Sequence, residues 1–280
     1  MSEPPPSLPP LREVIARYGL GARKALGQHF LLDQNLTGRI ARAADPLDRG
    51  TVFEIGPGPG GLTRSLLAAG AHRVIAVERD PRFLPALRDL QQAYPGRLEI
   101  LEADALEVNL AALGEAPRQI VANLPYNVST PLLLGWLPRI DAFTALTLMF
   151  QKEVADRLLA KPRTKDYGRL SVAVQFHCTV KPLFQVPPSA FTPPPQVMST
   201  VVQLRPRPER PADIDPRRLE RVAAAAFGQR RKMLRAALKS LLPQPEAALH
   251  EAGIAPTARA EELDLDAFCR LARATAKIAG

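Results

Sequence analysis

The stretch that most restricts the fold of this chain is an apolar segment that runs directly into a glycine-rich turn. Thr51-Val-Phe-Glu-Ile55 is predicted to be a buried strand, Gly56-Pro-Gly-Pro-Gly-Gly61 a turn, and Leu62 to Ala69 a helix. A strand, a glycine turn and a helix in this order form the first unit of a nucleotide-binding α/β sheet. Glycine at Gly56 and Gly58 lets the backbone approach a ligand closely.

Acidic residues follow the next two predicted strands. Arg73-Val-Ile-Ala-Val77 leads to Glu78, and Arg97-Leu-Glu-Ile-Leu101 leads to Asp104. An acid about 20 residues after the glycines can accept both ribose hydroxyls of an adenosine, and Asp104 can accept from an adenine amino group. The glycines also satisfy G-x-G-x-x-G, so an NAD or FAD enzyme is an alternative. The prolines in the turn and the lack of a later dehydrogenase base disfavour it.

A fourth predicted strand, residues 118–123, ends in Asn123-Leu124-Pro125-Tyr126. Pro125 has no N–H and pushes Leu124 toward an extended conformation, so the Leu124 carbonyl can leave the strand ladder and accept a hydrogen bond elsewhere. Asn123 offers a second acceptor and Tyr126 a flat aromatic face. Two acceptors beside an aromatic ring suit an exocyclic amino group on a planar base. An ordinary turn after a strand is the alternative.

The remaining pattern completes a two-domain α/β chain. We predict strands at 145–150, 170–180 and 198–204, the last two forming an antiparallel hairpin, and helices at 11–23 (ended by Gly19), 34–44, 131–137 and 151–160. The result is a seven-stranded, mostly parallel sheet with helices on both faces. Phe191, in the proline-rich loop before the last strand, is either a hydrophobic plug or a stacking ring. We divide the chain into a tail and short helix (1–20), a sheet domain (21–206) and a small helical domain (207–280). A proline-rich, charged linker marks the boundary between the last two.

The charge of the chain favours a polyanionic partner. The formal net charge is +9 and the pI is about 10.0, as in many nucleic-acid-binding proteins. Residues 227–242 are predicted to be helical and carry five cations without an acid: Arg230, Arg231, Lys232, Arg235 and Lys239. Phosphate contacts are the favoured interpretation of this cluster, and a solvated helix face is the alternative.

Other functional classes find little support in the sequence. Cys178 and Cys269 stand alone and the four histidines lack metal-ligand spacing, so we predict no metal site, no disulfide and a reducing, cytoplasmic setting. No apolar run approaches the roughly 18 residues of a membrane span.

Taken together, these stretches resemble the S-adenosylmethionine-dependent rRNA adenine dimethyltransferases, specifically the bacterial KsgA type that acts on small-subunit rRNA. The resemblance covers nearly the whole chain after residue 20. The motifs that carry it are Gly27-Gln-His-Phe-Leu31, Glu54-Ile-Gly-Pro-Gly-Pro-Gly60, Glu78, Asp104, Asn123-Leu-Pro-Tyr126, Gln151-Lys-Glu-Val-Ala155, Tyr167-Gly-Arg-Leu-Ser171, F-x-P-x-P-x-V-x-S from Phe191 to Ser199, and Phe227-Gly-Gln-Arg-Arg-Lys232. His29 is a variation, because many relatives carry asparagine there.

The resemblance implies a Rossmann-like methyltransferase domain at 21–206 and an rRNA-binding helical domain at 207–280. It implies a monomer that dimethylates two adjacent adenines in a 3′-terminal hairpin loop of 16S rRNA within small-subunit assembly particles. The site residues that it implies are these: Asn123, Leu124, Pro125, Tyr126 and Phe191 for catalysis, with Tyr126 and Phe191 sandwiching the flipped-out adenine; His29, Leu31, Gly56, Gly58, Glu78, Asp104 and Asn123 for S-adenosylmethionine; Arg230, Arg231, Lys232 and Arg235 for RNA.

Three other functions remain to be weighed against this one. The related Erm-type enzymes modify large-subunit rRNA, and Gln151-Lys-Glu-Val-Ala155 with the basic C-terminal segment argues against that branch. DNA adenine methylation is less favoured because no separate DNA-recognition domain is evident. A non-catalytic RNA-binding assembly or transcription factor is disfavoured by the intact Asn123–Tyr126 motif, Glu78 and Asp104.

Overall fold

The computed structural model describes residues 7–23 and 27–279, with side chains through Lys277. It divides into two compact units. The first contains the chain up to Ala155 together with Lys181–Pro206, and the second contains Asp156–Val180 together with the chain from Arg207 onward. The predicted boundary after residue 206 coincides with one crossing between the units, but residues 156–180 belong to the second unit rather than to the sheet domain.

The helices are α1 (Leu11–Arg17), α2 (Gln34–Ala43), α3 (Gly61–Ala68), α4 (Leu84–Ala93), α5 (Tyr126–Trp136), α6 (Lys152–Leu159), α7 (Arg169–His177), α8 (Pro216–Gly228), α9 (Leu234–Ala237), α10 (Pro245–Glu251) and α11 (Leu265–Ala279). The strands are β1 (Phe30–Leu31), β2 (Thr51–Ile55), β3 (Arg73–Glu78), β4 (Leu98–Glu102), β5 (Arg118–Asn123), β6 (Ala145–Gln151), β7 (Cys178–Val186), β8 (Phe191–Thr192) and β9 (Ser199–Pro206).

Among the described residues, seven strands form one sheet in the order β4-β3-β2-β5-β6-β9-β7. Strands β4, β3, β2, β5 and β6 are mutually parallel, and β9 is antiparallel to β6. All five residues of β2 are buried, as expected for a central parallel strand covered on both faces. The prediction of a mostly parallel seven-stranded sheet with an antiparallel last hairpin is confirmed.

This topology brings the ends of several strands to one edge of the sheet. Ile55 pairs with Val77, and Glu78 pairs with Glu102, so the residues that follow β2, β3 and β4 lie side by side. Asn123 ends β5, the other parallel neighbour of β2. In open α/β sheets this carboxyl edge is where ligands bind.

One predicted strand is wrong over most of its length, because residues 169–177 form helix α7. Val172, Val174 and Phe176 are buried, and their period-two spacing resembles a strand. The segment is instead helical, and hydrogen bonds of Ser171 fix its first turn. The Ser171 hydroxyl accepts from the Gly168 N–H and donates to the Arg157 carbonyl, while Val172 and Phe176 pack in the core of the second unit. Tertiary packing thus overrides the alternating pattern.

Two helix boundaries also differ from the sequence prediction. Helix α5 begins at Tyr126 rather than at Pro131, which lies inside it; Pro125 (φ −58°) occupies the N-cap position, and the Ser129 hydroxyl donates to the Tyr126 carbonyl. The predicted continuous helix near residues 227–242 is interrupted, because α8 ends at Gly228 and α9 begins at Leu234. The first six residues of the predicted tail, and residues 24–26, lie outside the described residues.

Candidate active site

Two adjoining cavities lie at the carboxyl edge of the sheet in the first unit. The first, about 80 Å³, is lined by residues 27–31 from the segment before α2, by Glu54, by the glycine turn, and by Asn123 to Tyr126. The second, about 340 Å³, is lined by Asp80, Asp104 and apolar side chains from the loop after β4 and from α5. Gln28, Gly56, Glu78 and Pro125 line both cavities, so the two form one continuous cleft.

The glycine turn approaches both the acid loop and the N-terminal segment closely. Gly58 has φ +54°, and its N–H donates to Glu78 Oε2 at 3.0 Å. At Gly61, the first residue of α3, a Cβ would lie 2.6 Å from the Leu31 carbonyl oxygen. Glycine is therefore required at Gly61 for β1 to lie against the start of α3.

Glu78 is fixed in place by backbone groups. Its side chain is buried, with Oε2 accepting from Gly58 and Oε1 accepting from the Asp80 N–H at 2.8 Å. Burial raises the pKa of Glu78, and these two N–H bonds work against that rise. Asp80 is in turn held by Arg82, whose guanidinium also donates to the Gly21 carbonyl at 3.1 Å. Glu78, the last residue of β3, thus has a rigid position with lone pairs left for ligand hydroxyls.

Asp104 stands in the second cavity. Its Oδ1 accepts from the Leu106 N–H at 3.0 Å, and its Oδ2 pairs with Arg79 Nη1 at 2.8 Å. Leu106, Val128 and Leu132 also line this cavity. A carboxylate at the edge of an apolar slot suits a flat ring that carries an amino group.

Glu54 is a site residue that the sequence reasoning missed as a separate functional group. It is the fourth of the five residues of β2, is 2% exposed and lines the first cavity, and within the described part of the chain its Oε2 has no hydrogen-bond partner. Burial, with a smaller contribution from the nearby Glu78 carboxylate, raises the pKa of Glu54 to about 8. The available signal was an acid inside an otherwise apolar strand.

The Asn123–Tyr126 motif is held from two directions. Asn123 Nδ2 donates to the His29 carbonyl at 3.0 Å, which leaves the side-chain oxygen as the acceptor in the first cavity. The Tyr126 hydroxyl lies 2.6 Å from Ser199 Oγ, and burial raises the pKa of this phenol. Ser199 is fully buried at the start of β9. The amide and the ring therefore have fixed orientations.

His29 lies beside both aromatic residues that were predicted to sandwich an adenine. Its Nδ1–H donates to the Pro193 carbonyl at 2.7 Å, and its ring centroid lies 5.5 Å from that of Tyr126 and 6.3 Å from that of Phe191. Phe191 is only 3% exposed and packs in the core, with β8 paired to β1. Of the two interpretations of Phe191, the structure shows the plug; its stacking on a base stays a prediction.

Three members of the basic cluster, Arg230, Arg231 and Lys232, lie in the connection between α8 and α9, whereas Arg235 lies in α9 and Lys239 in the 3-10 turn that follows it. Arg230 is engaged there: its Nε donates to Glu261 Oε2 at 2.9 Å and its Nη2 to the Thr164 carbonyl at 3.1 Å. Arg231, Lys232 and Arg235 are exposed. Although residues 227–242 contain no acid, Glu261 from a distant segment pairs with Arg230. The exposed side chains of Arg231, Lys232 and Arg235 are therefore better candidates for phosphate contacts than Arg230.

Comparison with known proteins places this cleft in a defined family. The family model described as "Ribosomal RNA adenine dimethylase" matches residues 19–277. The chain belongs to this family. It is therefore an rRNA adenine dimethyltransferase, a class of S-adenosylmethionine-dependent methyltransferases.

Similar proteins agree with this assignment. A "Ribosomal RNA small subunit methyltransferase A" from Paramagnetospirillum magneticum is 66% identical over 95% of each chain. One of the same name from Rhodospirillum rubrum is 62% identical over 97% of this chain and 94% of its own. Among solved structures, a dimethyladenosine transferase from Plasmodium falciparum has a TM-score of 0.75 at 27% identity, over 87% of this chain and 96% of its own. The 23S rRNA methyltransferase ErmE has a TM-score of 0.65 at 29% identity, over 88% and 99%.

Two absences apply to the described residues. None of their helices has both the length and the apolar character of a membrane span. No group of three or more histidine, cysteine or acidic side chains among them could hold a metal ion.

Proposed function

We propose that this enzyme dimethylates the N6 amino groups of two adjacent adenines in a 3′-terminal hairpin loop of 16S rRNA, within small-subunit particles, and that it contributes to small-subunit biogenesis. The observation that carries the reaction is the juxtaposition of Asn123 and Tyr126 with the glycine turn and Glu78 around one cleft. The choice of substrate is supported by the names of relatives that are 57–66% identical.

The cleft residues fit S-adenosylmethionine. Lone pairs of Glu78 suit the two ribose hydroxyls, and the slot at Asp104 suits the adenine ring. The unpaired Oε2 of Glu54 suits a cationic group in the first cavity, since a buried carboxyl oxygen that lacks a hydrogen bond favours a nearby positive charge. His29, Leu31, Gly56, Gly58 and Asn123 line the same cavity.

Bound S-adenosylmethionine supplies an electrophilic methyl group, so the protein has to position a weak nucleophile. An adenine amino group is weak because its lone pair is delocalised into the ring. The side-chain oxygen of Asn123 and the Leu124 carbonyl hold the two N–H bonds, which favours a pyramidal nitrogen whose lone pair faces the methyl group. For the second transfer one N–H remains, so one acceptor is sufficient. Because the Asn123 and Leu124 oxygens are neutral, the site does not need a third buried carboxylate beside those of Glu54 and Glu78.

Tyr126 serves as the stacking surface for the extruded base. Extrusion costs a few kcal/mol, least in a loop, and stacking on an aromatic ring contributes ~1–3 kcal/mol per base. The hydrogen bond to Ser199 keeps this ring in one orientation. Phe191 becomes the second stacking surface if its side chain leaves the core when RNA binds.

The second unit supplies affinity for RNA. Arg231, Lys232 and Arg235 present exposed cations near one connection, suited to phosphates of the rRNA backbone. The protein acts as a monomer in the cytoplasm, on an assembly intermediate whose 3′ hairpin is accessible.

An Erm-type activity on large-subunit rRNA is the second candidate, because ErmE shares the fold over most of both chains. One experiment separates the candidates: methyl transfer from labelled S-adenosylmethionine to unmethylated small subunits, large-subunit RNA and duplex DNA, followed by nucleoside analysis. We expect dimethyladenosine in the small subunit alone. Label in large-subunit RNA would move the enzyme to the Erm branch. Cofactor binding without label in any substrate would favour a non-catalytic assembly factor.

A further inference from the structure

A separate cleft in the first unit is lined by residues of α2 and α3 and has a volume of about 630 Å³. We call it the α2–α3 cleft. Its lining residues are Leu8, Gln34, Gly38, Arg42, Arg64, Ser65, Ala68, Ala69 and Tyr94. Two of these are arginines and none is acidic. The cleft shares no lining residue with the cofactor cleft.

Arg64 is a buried charge that the protein only partly satisfies. Its side chain is 8% exposed, and its Nη1 donates to the Pro9 carbonyl at 2.6 Å. Its Nε is buried, and within the described part of the chain it has no hydrogen-bond partner. Burial lowers the pKa of Arg64, although a guanidinium in a protein stays protonated. A buried charge is costly unless it is paired and hydrogen-bonded, so this site calls for an anion.

The surrounding groups do not supply that anion. Among residues 7–23 and 27–277, no carboxylate forms an ion pair with Arg64. The carbonyls near the C-terminal end of α3 could offset the charge through the helix dipole. Those of Leu67 and Ala71, however, already accept from Arg97 Nη2 at 2.8 and 2.7 Å.

Arg42 adds a second guanidinium from the neighbouring helix. It is exposed on α2, and its Nη1 would lie 3.2 Å from a Cβ placed on Gly38. The missing side chain at Gly38 therefore lets the Arg42 guanidinium lie close to the helix, beside the cleft. Tyr94 and Gln34 contribute neutral polar groups to the lining. Two guanidinium groups with neutral donors are the usual chemistry of a phosphate site.

We propose that the α2–α3 cleft binds a phosphate group, and that in the working enzyme this is a backbone phosphate of the RNA substrate. Arg64 lies three residues after Gly61 in α3, only about 4.5 Å along the helix axis from the glycine turn. A phosphate in the cleft would therefore anchor RNA that flanks the target base. The assignment to RNA rests on the proposed function, whereas the anion site itself does not.

The test begins with inorganic phosphate alone, titrated into the full-length protein by calorimetry and by the urea midpoint of Trp136 fluorescence. We expect saturable binding that Arg42→Gln weakens at least tenfold and that Arg88→Gln, a control with the same charge change on an exposed residue of α4, leaves unchanged. Gly38→Ala, which displaces the Arg42 guanidinium, should weaken binding without changing the net charge. Arg64→Gln is the most direct variant, but it changes a buried position and can prevent folding. Arg42→Gln and Gly38→Ala change the cleft without altering that buried position, so they test the proposal even if Arg64→Gln does not fold.

Absence of phosphate binding in the wild-type protein would overturn the proposal.

A second arm tests the source of the phosphate with small-subunit RNA. Arg42→Gln should reduce the slope of log affinity against log salt by about one, and inorganic phosphate should compete with RNA. Phosphate binding with an unchanged RNA slope would overturn the RNA assignment in favour of free phosphate. If methyl transfer to rRNA is absent but phosphate still binds, the proposed function fails while the anion site stands.

Discussion

Replacing Glu54 by glutamine should stabilise the cofactor-free protein, and the gain should grow with pH. Glu54 is fully buried in β2 with one orphaned carboxyl oxygen, and its pKa rises from 4.5 to about 8. The folded state therefore holds a proton that the unfolded state releases. The stability contributed by this proton is fully present below pH 4.5 and is lost as the pH rises through 8. Glutamine has the same shape and carries no charge at any of these pH values.

The size of the effect follows from the pKa difference. Each unit of pKa corresponds to about 1.4 kcal/mol, so the full change is at most about 5 kcal/mol. Roughly 3 kcal/mol of it falls between pH 5 and pH 8. With a urea m-value of about 2 kcal/mol/M, the midpoint of Glu54→Gln relative to that of the wild type should rise by about 1.5 M over this range.

Trp136 makes the measurement specific to the first unit. It is the only tryptophan of the sequence, and it is buried in α5. Urea titrations followed by its fluorescence at pH 5, 6, 7 and 8 give the midpoints of wild type, Glu54→Gln and the exposed control Glu107→Gln. The other titrating groups cancel in the difference between variants. A midpoint difference that does not change with pH would refute the reasoning, as would an equal change in Glu107→Gln.

Three further changes test other parts of the account. Ser199→Ala removes the hydrogen bond to the Tyr126 hydroxyl and should lower kcat by about tenfold with little effect on cofactor affinity. Adding Tyr126→Phe should lower kcat little further, because the same hydrogen bond is already lost. Additive losses in a double-mutant cycle measured by rapid quench would contradict this pairing. Glu78→Ala should weaken S-adenosylmethionine binding by roughly 1.5–3 kcal/mol, measured by calorimetry, because hydrogen bonds to a charged acceptor are lost; unchanged affinity would remove Glu78 from the site. The double change Arg231→Ala and Lys232→Ala should lower the salt slope of RNA binding by about two in filter-binding assays, and an unchanged slope would return these cations to a solvated surface.

The architecture of the sheet was predictable because its signals are local. Strands β3 and β5 contain uninterrupted apolar runs, residues 74–77 and 120–122, and each strand ends in a polar residue, Glu78 or Asn123. Parallel pairing then brings these residues to one edge without further information. Helix α7 was not predictable in the same way. Its buried residues alternate, and the bonds from Ser171 that hold it helical involve the Arg157 carbonyl, outside that helix.

The unpredicted parts of the site depend on partners that are distant in sequence. Arg230 was grouped with its basic neighbours, yet its ion pair comes from Glu261, 31 residues away. The sequence left Phe191 as either a hydrophobic plug or a stacking ring, and its burial depends on the pairing of β8 with β1. Whether Glu54 Oε2 has a hydrogen-bond partner depends on which donors the fold places beside it. Such features follow from tertiary packing, which a local pattern does not encode.

The central claim is that Asn123 holds the target amino group of the adenine. The lone pair of that amino nitrogen, which accepts the methyl group, then faces the cofactor. The most direct test is single-turnover methyl transfer to unmethylated small subunits by Asn123→Ala, with particle and cofactor affinities measured in parallel and the exposed Asn109→Ala as control. We predict that Asn123→Ala binds particles and cofactor nearly as the wild type does, and that its transfer rate falls by about 10²–10³-fold, as expected when a positioning acceptor is lost. Transfer at the wild-type rate would contradict the account.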